Sequence, residues 1–483
     1  MDLLLVLGIP LLATLLLALP LTRRVGAELN AGMSFASFLA VSWLTLRVAR
    51  GGPMLLWHEQ FYVDPFNAFL VELTAFVGFT TAVFSRPYMR TEEHHGRLTP
   101  RRKRLYHSMY QLFMASMFVA LLTNNMGLLW VAMEGATLST VLLVSLFRTK
   151  ASLEAAWKYF ILCGVGIAQA LFGTLLLYFA AEQTLGRQGM TALLWTHLYA
   201  VKADLEPTVL ALAFVFLLVG YGTKVGLAPL HNWLPDAHAE GPAPVSAVLS
   251  GLLLNVALYA VIRCKVLVEG SIGSVLPGRI LMGFGLLSAL LGAFFLWRQR
   301  DIKRLFAYSS IEHMGIITFA FGLGGPIANF AALLHMTVHS LTKSSLFFTA
   351  GHAAQTAGTQ RMDGIRGLAA INPAIGWSLM LGSIAILGMP PFGIFASEFL
   401  ILTTAVHEHP WAAPLLLIAL GVAFGGIFIK VQPMIFGDGR APRLPHSPAL
   451  LPVFVHLALA LTLGIYIPPT LAACYNAAAN LIG

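Results

Sequence analysis

Residues 222–235, GTKVGLAPLHNWLP, decide how this chain folds, because they place a lysine and a proline at the end of a long apolar run. Lys224 follows the run VLALAFVFLLVG (209–220), and Pro229 stands five residues further on. Proline removes an amide donor and interrupts a helix. Backbone groups that are freed in an apolar environment persist only where protein or water satisfies them. We therefore expect a helix that breaks at Pro229 and surrounds Lys224 with water and polar backbone.

Composition places that apolar run in a membrane. The chain has 483 residues, of which 58% are hydrophobic and only 11% charged, and its mean hydropathy of +0.78 is too high for a soluble domain of this length. A span needs roughly 20 apolar residues, and the first candidate follows Asp2 without the basic region or cleavage site of a signal peptide, so we expect it to be retained. The fourteen predicted spans are 3–20, 27–48, 64–84, 107–123, 126–147, 154–180, 207–233, 242–265, 280–297, 303–322, 327–350, 373–403, 411–436 and 448–469.

The distribution of basic residues predicts the orientation of these spans. Loops after the odd-numbered spans hold about 19 Lys and Arg, whereas loops after the even-numbered spans hold about 7. Positive loops stay in the cytoplasm, so we expect both termini on the outer side of a bacterial or archaeal inner membrane. The sequence pI near 9.6 then reflects topology and attraction to anionic lipid, and we predict no nucleic-acid partner.

Cysteine and glycine motifs give no sign of a bound cofactor. The cysteines Cys163, Cys264 and Cys474 are isolated, without the spacing of an iron–sulfur or zinc site. The sequence has no GxGxxG motif, no Walker loop and no Ser-His-Asp arrangement, which argues against a nucleotide enzyme or a hydrolase. We therefore predict no cofactor and no metal in this chain, so that any electron transfer would take place in another subunit.

Ionisable side chains inside the predicted spans are the main functional signal. Lys158 and Lys430 lie near span ends, where a lysine can extend its ammonium to the interface. Lys224, Lys343 and Glu398 lie deeper, as does Glu134 in WVAMEGATLST (130–140). An unpaired charge at mid-bilayer costs about 2.5–3.5 kcal/mol even on the lenient insertion scale. The deep charges therefore predict an ion path, with buried structural ion pairs as the alternative.

Glu134 and Lys224 together suggest a proton switch. A Glu134 carboxylate close to the Lys224 ammonium would hold the lysine protonated. If the carboxylate moved away, desolvation would favour release of the proton.

Two histidines and a lysine predict a proton relay. In LLHMTVHSLTKSSLF (333–347), His335, His339 and Lys343 stand at i, i+4 and i+8, which places them on one stripe of a helix. Imidazole both donates and accepts protons near neutral pH. The HxxxH spacing could also bind a metal, but the glutamate of HExxH is absent and the sequence offers no third ligand.

Two proline breaks suggest an internal repeat. Pro229 would break span 7, and Pro390 with Pro391 in GMPPFGIF (388–395) would break span 12. Matching breaks in two halves of a chain are typical of transporters with inverted repeats. We therefore predict an all-α polytopic membrane protein organised as 1–106 (spans 1–3), 107–267 (first repeat, spans 4–8), 278–436 (second repeat, spans 9–13) and 437–483 (span 14 and a C-terminal tail).

Longer runs resemble a known family. The stretch KVGLAPLHNWLPDAHAEGPAPVSAVLSG (224–251), together with AYSSIEHMG (307–315), resembles the antiporter-like subunits of respiratory complex I and of Mrp-type cation/proton antiporters. The runs LLLNVALYAVIR (252–263) and MPPFGIFASEFLIL (389–402) look most like component F of hydrogenase-4 and related group 4 membrane-bound hydrogenases, with complex I subunit M the next most similar.

The resemblance implies a role for each deep residue. It pairs Glu134 with Lys224, places His335, His339 and Lys343 in a central relay, and makes Glu398 the exit residue. Complex I relatives commonly carry a lysine where this chain has Asn255, so passage between the halves would need water or a neighbour such as His231. Glu312 and His313 are candidate auxiliaries, with a structural role as the alternative.

Three hypotheses follow from the resemblance. In the first, we expect the chain to be a proton-translocating subunit of a redox-driven complex, with sodium as the alternative ion, packed in lipid beside further antiporter-like subunits and a peripheral redox module. Alternatively it belongs to a Mrp-like antiporter or an inorganic-carbon transporter without redox chemistry. A static membrane anchor is the third hypothesis, and the deep charges argue against it.

Overall fold

The computed structural model describes residues 2–20, 25–186, 189–438 and 449–483, and most of them are helical. The N-terminal part of the chain contains α1 (Asp2–Ala18), α2 (Val25–Gly51), α3 (Pro65–His94), α4 (Pro100–Leu122), α5 (Met126–Val144), α6 (Lys150–Leu185), α7 (Trp195–Ala200), α8 (Pro207–Val225), α9 (Trp233–Glu240), α10 (Ala243–Val248) and α11 (Leu254–Ile272). A π-helical turn, Leu249–Leu253, makes α10 and α11 continuous.

The C-terminal part continues with helices that cover the remaining predicted spans. They are α12 (Val275–Leu296), α13 (Ile302–Leu323), α14 (Gly325–Ala357), α15 (Leu368–Ile371), α16 (Pro373–Ile386), α17 (Gly393–Glu408), α18 (Ala413–Phe436), α19 (Leu451–Ile465) and α20 (Pro469–Ile482). Short 3₁₀ turns are Ser145–Phe147, Gly189–Leu193 and Met362–Gly364, and strands β1 (Met54–Leu56) and β2 (Phe61–Val63) form an antiparallel hairpin before α3.

The predicted helical membrane fold is confirmed, although the number of spans is not. Among the described residues, nine helices are long and apolar enough to cross a membrane, or ten if the bent pair α19 and α20 counts as one. Each predicted span coincides with a helix or a broken pair of helices, and the count of fourteen stays a prediction. The predicted tail after span 14 is itself helical, at 75° to α19. Residues 439–448, at the start of the last predicted segment, lie outside the described part of the chain.

Both predicted breaks are present. Helix α8 ends at Val225, with Gly226 in the left-handed region, and α9 begins at Trp233. Helix α16 ends at Ile386, and α17 begins at Gly393 after Pro390 and Pro391.

The centre of the molecule is formed by the helices that carry the polar residues. The stretch Ala243–Ile272 is buried along the whole of its most apolar window. Helix α14 is buried from Ala331 to Ala353 on every side, although it contains histidines, a lysine and several hydroxyl residues. Because buried polar groups without a partner are costly, the polar side chains of this helix depend on contacts with the neighbouring helices.

Glycines bring the backbones of neighbouring helices into contact. Gly278, Gly285 and Gly292 of α12 recur every seven residues and face α13, where a Cβ on Gly292 would lie 2.7 Å from the backbone nitrogen of Glu312. Small residues at such crossings let helices approach closely. This packing fixes the position of Glu312.

Candidate functional site

The first cluster, Glu134 and Lys224, connects α5 to α8. The Trp130 indole donates a 2.7 Å hydrogen bond to the Ile167 carbonyl of α6 and so fixes α5 one turn before Glu134. Lys224 is fully buried in the last turn of α8, and Glu134 interacts with it electrostatically. Within the described residues, neither Lys224 Nζ nor Glu134 Oε2 has a hydrogen-bond partner. The two groups are therefore electrostatically coupled but not bonded to each other.

Aromatic and hydroxyl groups surround the ammonium of Lys224. Its Nζ lies 5.8 Å from the centroid of the Tyr159 ring, a cation–π distance. The Tyr159 hydroxyl shares a 2.7 Å hydrogen bond with Thr140 of α5, and its ring stacks on Trp233 at 4.6 Å. Tyr159 thus links α5, α6 and α9 around the lysine.

Two backbone groups at the break after Lys224 have side-chain hydrogen-bond partners. The Trp233 indole donates a 2.8 Å hydrogen bond to the Thr223 carbonyl, and the Ala228 amide donates at 2.9 Å to Ser288 Oγ of α12. The expectation that polar backbone would surround Lys224 is wrong for its ammonium, because Nζ bonds to none of the described backbone groups. The freed groups point to α9 and α12 instead.

His231 lies in the break, beside aromatic rings. Its ring centroid is 6.3 Å from that of Tyr308 and 6.4 Å from that of Phe295. No hydrogen bond or ring contact among the described residues links it to Asn255 or His335. Its predicted part in transfer between the halves stays a prediction.

Lys158 and Lys430 behave as lysines near span ends. Lys158 has a half-exposed side chain and pairs with Glu154 at 2.8 Å and with Asp236 at 3.2 Å. Lys430 donates to the backbone carbonyl of Gln299.

Asn255 links the two halves of the predicted path. Its Nδ2 donates to Ser340 Oγ at 2.8 Å and to the Met336 carbonyl at 3.1 Å, both on α14. The preceding π-helical turn brings Ser250 within 2.7 Å of Ser310 on α13. Asn255 therefore joins α11 to the relay helix without a titratable group.

The second cluster comprises Glu312, His313, His335, His339, Lys343 and Glu398. Lys343 Nζ is fully buried and donates a 3.0 Å hydrogen bond to the Phe306 carbonyl of α13. Glu312, one and a half turns further along α13, interacts electrostatically with Lys343. This lysine thus has both a bonded acceptor and a nearby carboxylate.

His313 lies at the centre of the second cluster. Its Nδ1 is 3.0 Å from His335 Nε2 and 3.8 Å from Glu398 Oε1. Its Nε2 is 3.4 Å from Glu312 Oε2 and 3.1 Å from the Ile386 carbonyl, at the break in span 12. An imidazole that faces a different carboxylate with each nitrogen can pass a proton between them.

The predicted stripe on α14 faces α13. His335 and His339 have ring centroids 6.5 Å apart, and both lie within 5.6 Å of the His313 ring. His335 Nδ1 is 2.9 Å from Ser397 Oγ of α17. Neither nitrogen of His339 has a hydrogen-bond partner in the described part of the chain.

Glu398 connects the second cluster to the surface. Its side chain is 11% exposed and lines a cavity of about 360 Å³ between α17 and α18, whose wall includes Phe399 and Leu417. Gly388, with φ +62°, lies directly against the carboxylate, and a Cβ there would collide with it. The break in span 12 therefore packs directly against Glu398.

Sequence reasoning missed other polar groups in the same helices. Glu72 of α3 accepts hydrogen bonds from Ser42 at 2.7 Å and Thr45 at 3.3 Å, and a carboxylate in an apolar segment was the available signal. His238 of α9 is buried against the Phe347 ring at 4.8 Å. Ser397 could not be predicted from the sequence, because its role depends on the contact that α17 makes with His335 of α14.

Comparison with known proteins defines the class. Residues 123–424, which contain both clusters, match the family described as NADH:quinone oxidoreductase/Mrp antiporter, transmembrane. The chain belongs to this family and is an antiporter-like membrane subunit.

Individual relatives make the assignment more specific. The chain is 49% identical over 460 residues to the hydrogenase-4 component F homolog of Methylacidiphilum infernorum, covering 95% of each chain. It is 30% identical to NADH-quinone oxidoreductase subunit M of Pseudomonas aeruginosa over 67% of this chain and 63% of that one. A chain of an archaeal membrane-bound sulfane sulfur reductase has the same fold, with a TM-score of 0.88, 24% identity and coverage of 99% and 97%.

Proposed function

We propose that this chain translocates protons as an antiporter-like subunit of a redox-driven ion-pumping complex. The observation that carries the proposal is the presence of two clusters of titratable groups inside the helical bundle. Lys224, Lys343 and the three histidines of the second cluster are buried, and such groups are costly in a membrane unless they function. The 49% identical hydrogenase-4 component F homolog supports a complex of the group 4 hydrogenase type, and the family match also admits the NADH:quinone oxidoreductase type.

The proposed route follows the two clusters in order. A change in the neighbouring redox module shifts Glu134 relative to Lys224, and the lysine releases its proton inward. Water near Asn255 carries the proton to Lys343, because an amide side chain does not titrate in this range. Glu312 and His313 then pass it to Glu398, with His335 and His339 as further relay groups, and the cavity between α17 and α18 is the exit.

We propose that residues 107–267 and 278–436 are two inverted repeats. The helices that carry Glu134 and Glu312 support this, because α5 begins with the side-chain cap of Asn125 and α13 with that of Asp301. Asn125 forms an isolated bridge to Leu194, and Asp301 forms one to Arg361. The breaks in spans 7 and 12 also fall on the fourth span of each proposed repeat.

The proposed assembly places this chain among other membrane subunits in the inner membrane of a bacterium or archaeon, with both termini outside. Further antiporter-like subunits and a peripheral redox module are the proposed partners, with no cofactor in this chain. Sodium is the alternative ion for this redox-driven subunit. A Mrp-like antiporter, or an ion-coupled inorganic-carbon transporter, without redox chemistry is the second candidate, because the matching family includes Mrp antiporters.

Substitution of the first cluster tests transport. Lys224→Met and Glu134→Ala should each lower proton uptake at least about tenfold in proteoliposomes of the purified complex, since a lost transfer group typically costs that much or more. Lys158→Met is the matched control, because this lysine is half exposed, and it should pump normally. Normal pumping by either cluster variant would remove its assigned role.

The partners distinguish the two candidates. Mass spectrometry of the gently solubilised complex should identify iron–sulfur or nickel–iron subunits. Their absence, with cation exchange intact, would favour the Mrp-like candidate.

A further inference from the structure

We propose that His313, His335 and Glu398 form a binding site for one divalent transition-metal ion of the zinc class. The HxxxH pair on α14 lacks a third ligand in sequence, but the fold brings one ligand each from α13, α14 and α17 into a single group. This proposal does not depend on proton translocation, because metal binding can be measured without it.

The distances fit the geometry of a zinc site. The three ligand atoms lie within 4.8 Å of one another, with 3.0 Å between the two ring nitrogens and 3.8 Å from His313 Nδ1 to the carboxylate. Zinc binds histidine nitrogen and carboxylate oxygen at about 2.0–2.2 Å, which separates tetrahedral ligands by roughly 3.4 Å. Small side-chain rotations therefore suffice.

The hydrogen bond between His313 Nε2 and the Ile386 carbonyl leaves the other ring nitrogen, Nδ1, facing His335 and Glu398. The Ile386 carbonyl, 3.1 Å from His313 Nε2, can only accept, so Nε2 donates to it; in the neutral ring, the unprotonated nitrogen is then Nδ1, which faces His335 and Glu398. Metal-bound histidines are typically oriented by such a carbonyl.

The outer contact of His335 favours the same arrangement. Ser397 Oγ lies 2.9 Å from the Ile394 carbonyl and 2.9 Å from His335 Nδ1. When the hydroxyl donates to the carbonyl, it accepts from Nδ1, and His335 Nε2 also presents a lone pair to His313. In this arrangement two lone pairs lie 3.0 Å apart beside a carboxylate, and a cation placed between them, either a proton or a metal ion, would relieve their repulsion.

Three protein ligands suit a site with an open fourth position. The rings of His313 and His335 are buried, whereas Glu398 lines the cavity that opens between α17 and α18. Glu398 is therefore the ligand through which an ion would enter, and water in the cavity would complete the coordination.

Zinc content of the intact complex tests the site. The complex is equilibrated at several chelator-buffered free zinc concentrations, washed, and measured by elemental analysis. Wild type should gain one zinc per copy of this chain. Glu398→Gln and His335→Gln should each weaken this binding by more than about 100-fold, because loss of a hydrogen-bond partner of a ligand costs about 10–100-fold. Binding that is unchanged in both variants, or absent from wild type, overturns the proposal.

Three further variants, Ser397→Ala, His339→Gln and His313→Gln, distinguish loss of a ligand from misfolding and from binding by the HxxxH pair. Ser397→Ala keeps all three ligands and removes only the outer partner of His335, so affinity should fall about tenfold. His339→Gln is the matched control in the same cluster and should bind zinc as wild type does. If His339→Gln abolished binding while His313→Gln retained it, the ion would belong to the HxxxH pair and the proposed site would be rejected.

Discussion

The two clusters differ in how their charges are satisfied. In the first, Lys224 Nζ and Glu134 Oε2 have no hydrogen-bond partner among the described residues. In the second, Lys343 is bonded to a carbonyl, and His313 contacts two carboxylates and a second imidazole. Lys224 and Lys343 are both fully buried, so burial of the lysines alone does not explain the difference.

This difference suggests different functions for the clusters. The energy of an unbonded charge pair in a low-dielectric interior changes steeply with distance, so a small shift of α5 would change the proton affinity of Lys224. In the second cluster, hydrogen bonds hold Lys343, His313 and His335 in place, and carboxylate oxygens lie 3.4 and 3.8 Å from His313. A proton can therefore move between these groups after small side-chain movements. We infer that the first cluster responds to the partner subunits and the second conducts.

The helix breaks show the same contrast. The break in span 7 satisfies its backbone with an indole and a serine, neither of which titrates. The break in span 12 presents the Ile386 carbonyl to His313, a titratable ring. Within the described chain, the break in span 7 therefore leaves no freed backbone group bonded to the first cluster, whereas the break in span 12 orients the His313 ring of the second cluster.

The largest effect should come from His313→Gln. This variant removes the ring between Glu312 and Glu398, so proton uptake should fall on the order of 100-fold, a typical value for a general acid–base group. His339→Gln is the matched control, because its ring has no hydrogen-bond partner in the described chain, and it should lose only a few-fold. Equal losses in ΔpH-dye assays would contradict the central position of His313.

Asn255→Leu tests whether the clusters act in series. The substitution removes the bonds to Ser340 and Met336 and dries the region between the clusters, so we expect about a tenfold loss of proton uptake, equivalent to roughly 1.4 kcal/mol. Thermal unfolding of the detergent-solubilised complex should show intact assembly. Full pumping would mean that each cluster exchanges its own proton.

Gly388→Ala should damage the second cluster alone. A methyl group there collides with Glu398 and strains a residue with positive φ, which costs on the order of 1–3 kcal/mol. We expect a several-fold loss of proton uptake together with reduced thermal stability. Gly421→Ala is the control, because it lines the same cavity with nothing within 4 Å of its Cβ; a similar loss in this variant would show that crowding of the cavity is responsible.

The smallest effect should come from Ser397→Ala. Losing one hydrogen bond to His335 costs about 1 kcal/mol, and water can replace the hydroxyl. Proton uptake should fall by no more than a few-fold, with the change visible as a shift of the His335 NMR signals. A loss as large as that of His313→Gln would indicate that Ser397 itself transfers protons.

Many residues of the proposed site could be predicted from the sequence one at a time. A charge in an apolar run is visible without a structure, and so Glu134, Lys224, Lys343 and Glu398 were predicted. The same signal was available for Glu72 and was overlooked. The proline breaks were also predictable, because the missing amide of proline acts locally.

Contacts between helices were not predictable. From the sequence, Glu312 and His313 are predicted only as auxiliaries, because nothing in AYSSIEHMG shows that the His313 ring lies between two carboxylates. Their importance comes from the glycine packing of α12 on α13, which sets the depth of Glu312.

The sequence by itself determined that the chain is a helical membrane protein of this family, where its helices break and which buried charges are costly. These properties depend on hydropathy, on proline and on residue type along one segment. Only the tertiary structure decided that Lys343 has a hydrogen-bond partner while Lys224 has none among the described residues. It also decided that three helices bring His313, His335 and Glu398 together. Such contacts depend on how helices distant in sequence cross, and local composition does not encode that crossing.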